Sequence, residues 1–124
     1  VNQYSEPLEY LYEPNASIMK SGAFKSIASK YGLYKLHQHS HLYTSKELVS
    51  AFPGRSFKIK ALIHPDKKSL AKHIKGKANL ACRNYQQKVD ALKKKLKLKD
   101  GGDDYLFATT LMDDKSKLIL CEKL

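Results

Sequence analysis

Apolar and polar residues change period along this chain, and each change predicts an element. Residues 8–12, Leu-Glu-Tyr-Leu-Tyr, alternate as a short strand does, and Pro14 with Asn15 ends it. Asn15 is a good N-cap for a helix over 16–31, whose core face is Ile18, Phe24, Ile27, Ala28 and Tyr31. Gly22 is placed to kink or split that helix, and Gly32 to end it. Residues 33–36 and 41–44 read as short strands or an extended arm, and Phe52-Pro53-Gly54 as a turn. Phe57, Ile59, Ala61 and Ile63 then alternate with Lys58, Lys60, Leu62 and His64. This is the clearest strand, and it predicts one buried face and one largely basic face.

Pro65-Asp66 opens a second helix that Gly76 stops, with Asp66 as N-cap and Leu70, Ala71 and Ile74 facing the core. Ala78, Leu80 and Cys82 alternate with Asn79, Ala81 and Arg83 in another strand. A third helix covers 87–97 with a narrow apolar stripe of Val89, Leu92 and Leu96. After the Asp100-Gly101-Gly102-Asp103 turn, residues 105–112 and 117–121 form a hairpin across 113–116. The order is β-α-(β-β)-β-α-β-α-β-β. It predicts an α/β (α+β) fold, a mixed sheet with about three helices packed on it. The 124 residues leave room for a single domain over 1–124, without repeats or a low-complexity linker.

Charge is sorted along this pattern. Fifteen of the 23 Lys and Arg residues lie between Arg55 and Lys99, beside only Asp66 and Asp90, a net of +13. Residues 1–54 carry +1 and residues 100–124 carry −3. Sorting of this kind points to attraction to a polyanion, with nucleic acid as the first candidate. Lys68, Lys72 and Lys75 fall at i, i+4, i+7 on the second helix, and Lys93, Lys94, Lys95 and Lys97 surround the seam of the third. Solvated helix faces would carry acids at i, i+4, and these are almost missing. Backbone contacts are therefore expected from Arg55, Lys58, Lys60, Lys68, Lys72, Lys75 and Arg83. Asn84 and Tyr85 can hydrogen-bond or stack on a base, or they can serve as a helix cap and a packing staple.

Other groups add less. His37, His39 and His41 would share one side if extended, but no carboxylate or thiol is nearby to complete a metal shell. Glu13 could act as acid or base, yet no partner is identifiable. There is no Gly-rich phosphate loop, Gly-x-Ser-x-Gly elbow, Cys pair or His-Glu-x-x-His, and so no self-sufficient catalytic centre. No apolar run approaches a membrane span, and VNQYSEPLEY has no apolar stretch of the signal-peptide kind. Cys82 and Cys121 read as buried thiols in a reducing, cytoplasmic compartment. The first residue is Val, which suggests an excised piece or a processed protein.

Tyr10-Leu11-Tyr12-Glu13-Pro14-Asn15 is followed by Ile18-Met19-Lys20-Ser21-Gly22-Ala23-Phe24, Leu36-His37 and His41-Leu42-Tyr43-Thr44-Ser45. Phe52-Pro53-Gly54-Arg55, Arg83-Asn84-Tyr85 and Tyr105-Leu106-Phe107-Ala108-Thr109-Thr110 come later. Together these stretches resemble the THUMP-like domain, the C-terminal part of a group of bacterial class I S-adenosylmethionine-dependent methyltransferases. The resemblance implies an appended domain similar to the THUMP modules that deliver RNA to modifying enzymes. It implies that S-adenosylmethionine would bind in an upstream domain of the parent. The expected function is an accessory, RNA-binding domain presenting substrate to that upstream domain. The alternative is a structural domain that packs on the methyltransferase core or dimerises, using its Tyr- and Leu-rich segment 4–12.

Overall fold

A computed structural model describes residues 2–124. Its elements run β1 (Tyr10–Pro14), α1 (Ala16–Ser21), α2 (Phe24–Tyr31), β2 (Tyr34–Lys35), β3 (Tyr43–Ser45), β4 (Gly54–Ile63), α3 (Lys67–Ala71), β5 (Asn79–Arg83), α4 (Val89–Leu96), β6 (Asp104–Thr110) and β7 (Ser116–Lys123). The strands form one mixed sheet in the order β2-β3-β1-β4-β7-β6-β5. Every pairing is antiparallel except β5 with β6, which are joined through α4. The element order is the expected one. Gly22, at φ 78°, splits the first predicted helix into α1 and α2, and Gly32 caps the second piece in the same left-handed region.

Strand register sorts the core into two sides. On one side α3 and α4 bury Leu70, Ile74, Leu92 and Leu96 against Ile63, Leu106, Leu118 and Leu120. On that same side α2 packs Ile27 and Ala28 against Tyr12, Tyr43 and Phe52. Among the described residues no helix contributes to the core cluster on the other side, called helix-free below. There Leu11, Phe57, Phe107, Ile119 and Cys121 are covered by Leu36, Leu42 and Leu111 from connecting segments. Phe57 and Phe107 meet edge to face, with centroids 5.0 Å apart.

The alternation expected along β4 is interrupted. The register shifts between Ile59 and Ala61, as at a bulge. Phe57 and Ile59 therefore face the helix-free side, while Ala61 and Ile63 join the core beneath α3 and α4. One extra residue turns the predicted single buried face into two half-faces, one in each core.

The β1 hydroxyl of Tyr12 ties the 45–49 connection to the sheet. Ser45 Oγ gives its own proton to the Glu47 carbonyl at 2.7 Å, so the Tyr12 hydroxyl donates to Ser45 at 2.8 Å and accepts from the Val49 amide at 2.9 Å. Tyr12→Phe keeps the ring, orphans the Val49 amide and takes from Ser45 Oγ the bond it accepts. It should cost about 1–2 kcal/mol in a denaturant melt. Amide exchange at Val49 should rise well beyond that at Leu11.

Candidate nucleic-acid interface

The second predicted helix is shorter than its apolar pattern suggested. Asp66 caps it as expected, accepting from the Ser69 amide at 2.6 Å. Helix α3 nevertheless ends at Ala71, because the chain leaves to pair with the segment after α4. Lys99 donates its amide to Gly76 at 2.9 Å, and Ala78 donates to Lys99 at 3.0 Å. Ala71 is exposed, not a core residue, and Lys75 lies beyond the helix. The Lys68–Lys72–Lys75 row is thus not one helical stripe, although all three side chains face solvent.

Ten of the fifteen bases in the 55–99 block have no carboxylate within 4.0 Å among the described residues. They are Lys67, Lys68, Lys72, Lys75 and Lys77 on and after α3, Lys88 before α4, and Lys94, Lys95, Lys97 and Lys99 on and after α4. Every one is exposed. A shallow cavity of about 90 Å³, floored by Leu70, Ile74 and Leu96, separates the two helices, with Lys67 and Lys97 on its walls. Lys97 reaches this place through a left-handed backbone at φ 54°, closing α4.

The other five bases have acids that the linear spacing hid. Lys58 reaches Glu9 at 3.2 Å and lies over the Tyr10 ring. Lys60 holds Asp104 at 3.0 Å and Lys93 holds Asp100 at 2.7 Å. These hydrogen bonds raise the pKa of both ammonium groups. The partner carboxylates of Lys58 and Lys60 lie 49 and 44 residues away in sequence. A test for acids at i, i+4 looks inside a helix and misses pairs made across a sheet.

Arg55 and Arg83 stand on the helix-free side, away from α3 and α4. Strand pairing puts Arg55 opposite Glu13, and its Nη2 donates to Glu13 Oε1 at 2.7 Å. Arg83 Nε donates to Glu13 Oε2, and its Nη1 to the Cys82 carbonyl at 3.0 Å. The Arg55 guanidinium also lies over Phe57, 5.3 Å from the ring centroid. The nine candidate residues therefore do not form one surface. Arg55 and Arg83 share a carboxylate on one side, Lys58 and Lys60 are paired off along β4, and Lys68, Lys72 and Lys75 lie in the lysine layer.

Glu13, which had no visible partner in the sequence, is the hub of the arginine pair. Burial opposes its ionisation, but hydrogen bonds and charge from Arg83 and Arg55 overcome this and hold its pKa below the ordinary 4.5. A carboxyl with a depressed folded pKa stabilises above its unfolded value and loses that effect as pH falls through the folded one. Glu13→Gln should therefore be less stable than the parent at pH 7. The difference should shrink below about pH 4.5 in melts taken across the acid range.

Asn84 does not cap α4. Lys88 occupies the cap position without a side-chain bond, and Asn84 bends the chain at φ 54° just past β5. Tyr85 packs its ring against the core beneath α3 and α4, and its hydroxyl is buried without a partner. The three histidines do not line an extended strand. The His39 amide donates to His37 Nδ1 at 3.0 Å, which leaves the His37 Nε2 proton for Asp114 at 2.8 Å. His41 stacks edge-on to Phe24. Cys82 and Cys121 are free thiols, and burial pushes Cys121 up to about 12. The 4–12 segment spends Leu11 in the chain's own core and leaves Tyr4 as an exposed ring. No helix among the described residues is long and apolar enough to cross a membrane.

Comparison with known proteins fits this architecture. A ferredoxin-like domain model matches residues 10–53, and a THUMP domain-like model matches residues 54–123. The boundary falls inside Phe52-Pro53-Gly54-Arg55. The motifs between Tyr10 and Ser45 thus belong to the ferredoxin-like part, and the lysine layer to the THUMP domain-like part. A single sheet crosses the boundary, because β1 and β4 pair over it. No curated protein matches the chain. A crystal structure described as that of a "putative methyltransferase" from Porphyromonas gingivalis W83 is 39% identical over 99% of this chain, with a TM-score of 0.90. This chain spans 31% of that one. With a THUMP domain-like model matched over more than half its length, the chain belongs to the THUMP domain-like family.

Proposed function

We infer that this chain is an RNA-binding accessory domain of a methyltransferase, holding a folded RNA so that a target base reaches a catalytic domain elsewhere in the parent protein. One observation carries the reading: ten exposed lysines, without acidic partners among the described residues, gathered on and around α3 and α4. Lysines free of carboxylates can neutralise phosphates and release counterions, and they read backbone, not sequence. Similarity to the Porphyromonas gingivalis structure described as that of a "putative methyltransferase" supports the accessory role.

The methyl donor, S-adenosylmethionine, would be held by the rest of the parent. The residues of this chain do not fit it. The tightest backbone approach at a glycine is at Gly54, and the chain's own Glu13 carbonyl occupies that space. The strand-to-helix turn after β1 is Asn15, with no glycine cradle. The parent is accordingly read as cytoplasmic, where such RNA and donor are found together.

The test is a titration of the chain against a structured RNA at several salt concentrations. The expected result is binding at low salt, with log K falling linearly as log salt rises. No binding at low salt, or binding indifferent to salt, overturns the reading.

A further inference from the structure

At the rim of the helix-free side, where α1 follows β1, a cleft of about 380 Å³ opens between the end of β1, α1, the 39–41 segment and the end of β5. Glu13 and Arg83 are its charged lining residues, Pro14 and Met19 are apolar ones, and His41 and Asn84 also line it. We propose that this cleft binds one unstacked nucleotide, with its phosphate on Arg83 and its base against Met19 and Pro14.

Three observations carry the proposal. The Arg83 side chain is fixed through Nε by Glu13 and through Nη1 by the Cys82 carbonyl, yet 42% of it remains exposed. Its Nη2 hydrogens have no acceptor among the described residues. Two guanidinium groups against one carboxylate leave a net positive charge, and a guanidinium already held in place is a prepared phosphate donor. The volume exceeds what a bare phosphate needs and falls in the range of small-molecule pockets.

The third observation is a pair of orphaned groups. Asn84 Nδ2 and His41 Nδ1 are buried without hydrogen-bond partners among the described residues, and both residues line this cleft. Buried polar atoms in this state carry an uncompensated desolvation cost. The edge of a nucleobase offers the complementary groups. Asn84 also keeps a left-handed backbone that Asn tolerates and Gly adopts freely.

The nucleotide has two sources, a free nucleoside monophosphate or an unstacked residue of an RNA strand. The site is separate from the lysine layer, since the two lie on opposite sides of the sheet.

Two-dimensional amide NMR titrations of this chain separate the outcomes. The probes are adenosine and guanosine 5′-monophosphates, adenosine, inorganic phosphate and a single-stranded RNA tetranucleotide. Shifts at Glu13, His41, Arg83 and Asn84 with a monophosphate, and affinities about tenfold weaker for adenosine and phosphate, support the site and a free ligand. The same shifts with the tetranucleotide alone support the site and an RNA source. Phosphate binding as tightly as the monophosphates, or no shift at these residues with any probe, overturns the proposal. Asn84→Gly keeps the backbone conformation and Arg83→Lys keeps the charge. Each should weaken the binding probe about tenfold, Asn84→Gly at an unchanged melting temperature and Arg83→Lys with its fold verified by the amide spectrum, and unchanged affinity in both overturns the assignment. Reversing charges in the lysine layer should leave monophosphate binding intact, so the two readings fail independently.

Discussion

Gly54→Ala is expected to cost about 2–3 kcal/mol of folding stability, read as a lower urea midpoint at unchanged m-value. Gly54 opens β4 opposite Pro14 of β1. A Cβ at that position would collide with the Glu13 carbonyl oxygen and press on the Pro14 Cα. Both obstacles are backbone, so no side-chain rotation relieves them. Shifting them means moving β1, which joins β2 and β3 to the rest of the sheet. The same shift would pull Glu13 from Arg55 and Arg83, so the variant should also lose part of the acid-limb pH dependence described above. A stability equal to the parent's would contradict the close approach.

Charge reversal at Lys67, Lys72, Lys94 and Lys95 should weaken binding to structured RNA on the order of a hundredfold or more at low salt. These side chains are exposed and belong to no ion pair among the described residues, so the fold should be unaffected. Neutralising Lys58 and Lys60 instead should change affinity little, because Glu9 and Asp104 already occupy them. Circular dichroism and melting temperature verify the fold of both variants. Equal losses from the two sets would mean that total charge, not the layer on α3 and α4, governs binding.

Much of the fold was legible because local signals agreed with it. Asn15 and Asp66 cap the helices they were expected to cap, Gly22 and Gly32 break where glycine is placed to break, and the final hairpin forms, turning across 111–115 where 113–116 was expected. What was not legible depends on contacts distant in sequence. The β4 bulge conserves the alternation of residue types while changing the side they face. The early end of α3 follows from pairing between the Gly76–Ala78 stretch and Lys99, which no helix-period pattern encodes. The candidate surface was half legible for the same reason. Clustering of bases is a property of the sequence, whereas their neutralisation by Glu9, Glu13 and Asp104 is a property of strand register. Glu13 illustrates this most sharply: the pairing of β1 with β4 sets Arg55 opposite it, and Arg83 reaches it from β5 at the sheet's edge.

The salt dependence of RNA binding, measured side by side for the parent and the four-lysine variant, tests the central claim most directly. Each phosphate that the variant no longer neutralises should flatten the plot of log K against log salt by about 0.7–0.9. The variant's slope should therefore be shallower by about 3. Parallel lines for the two proteins would contradict an interface on α3 and α4.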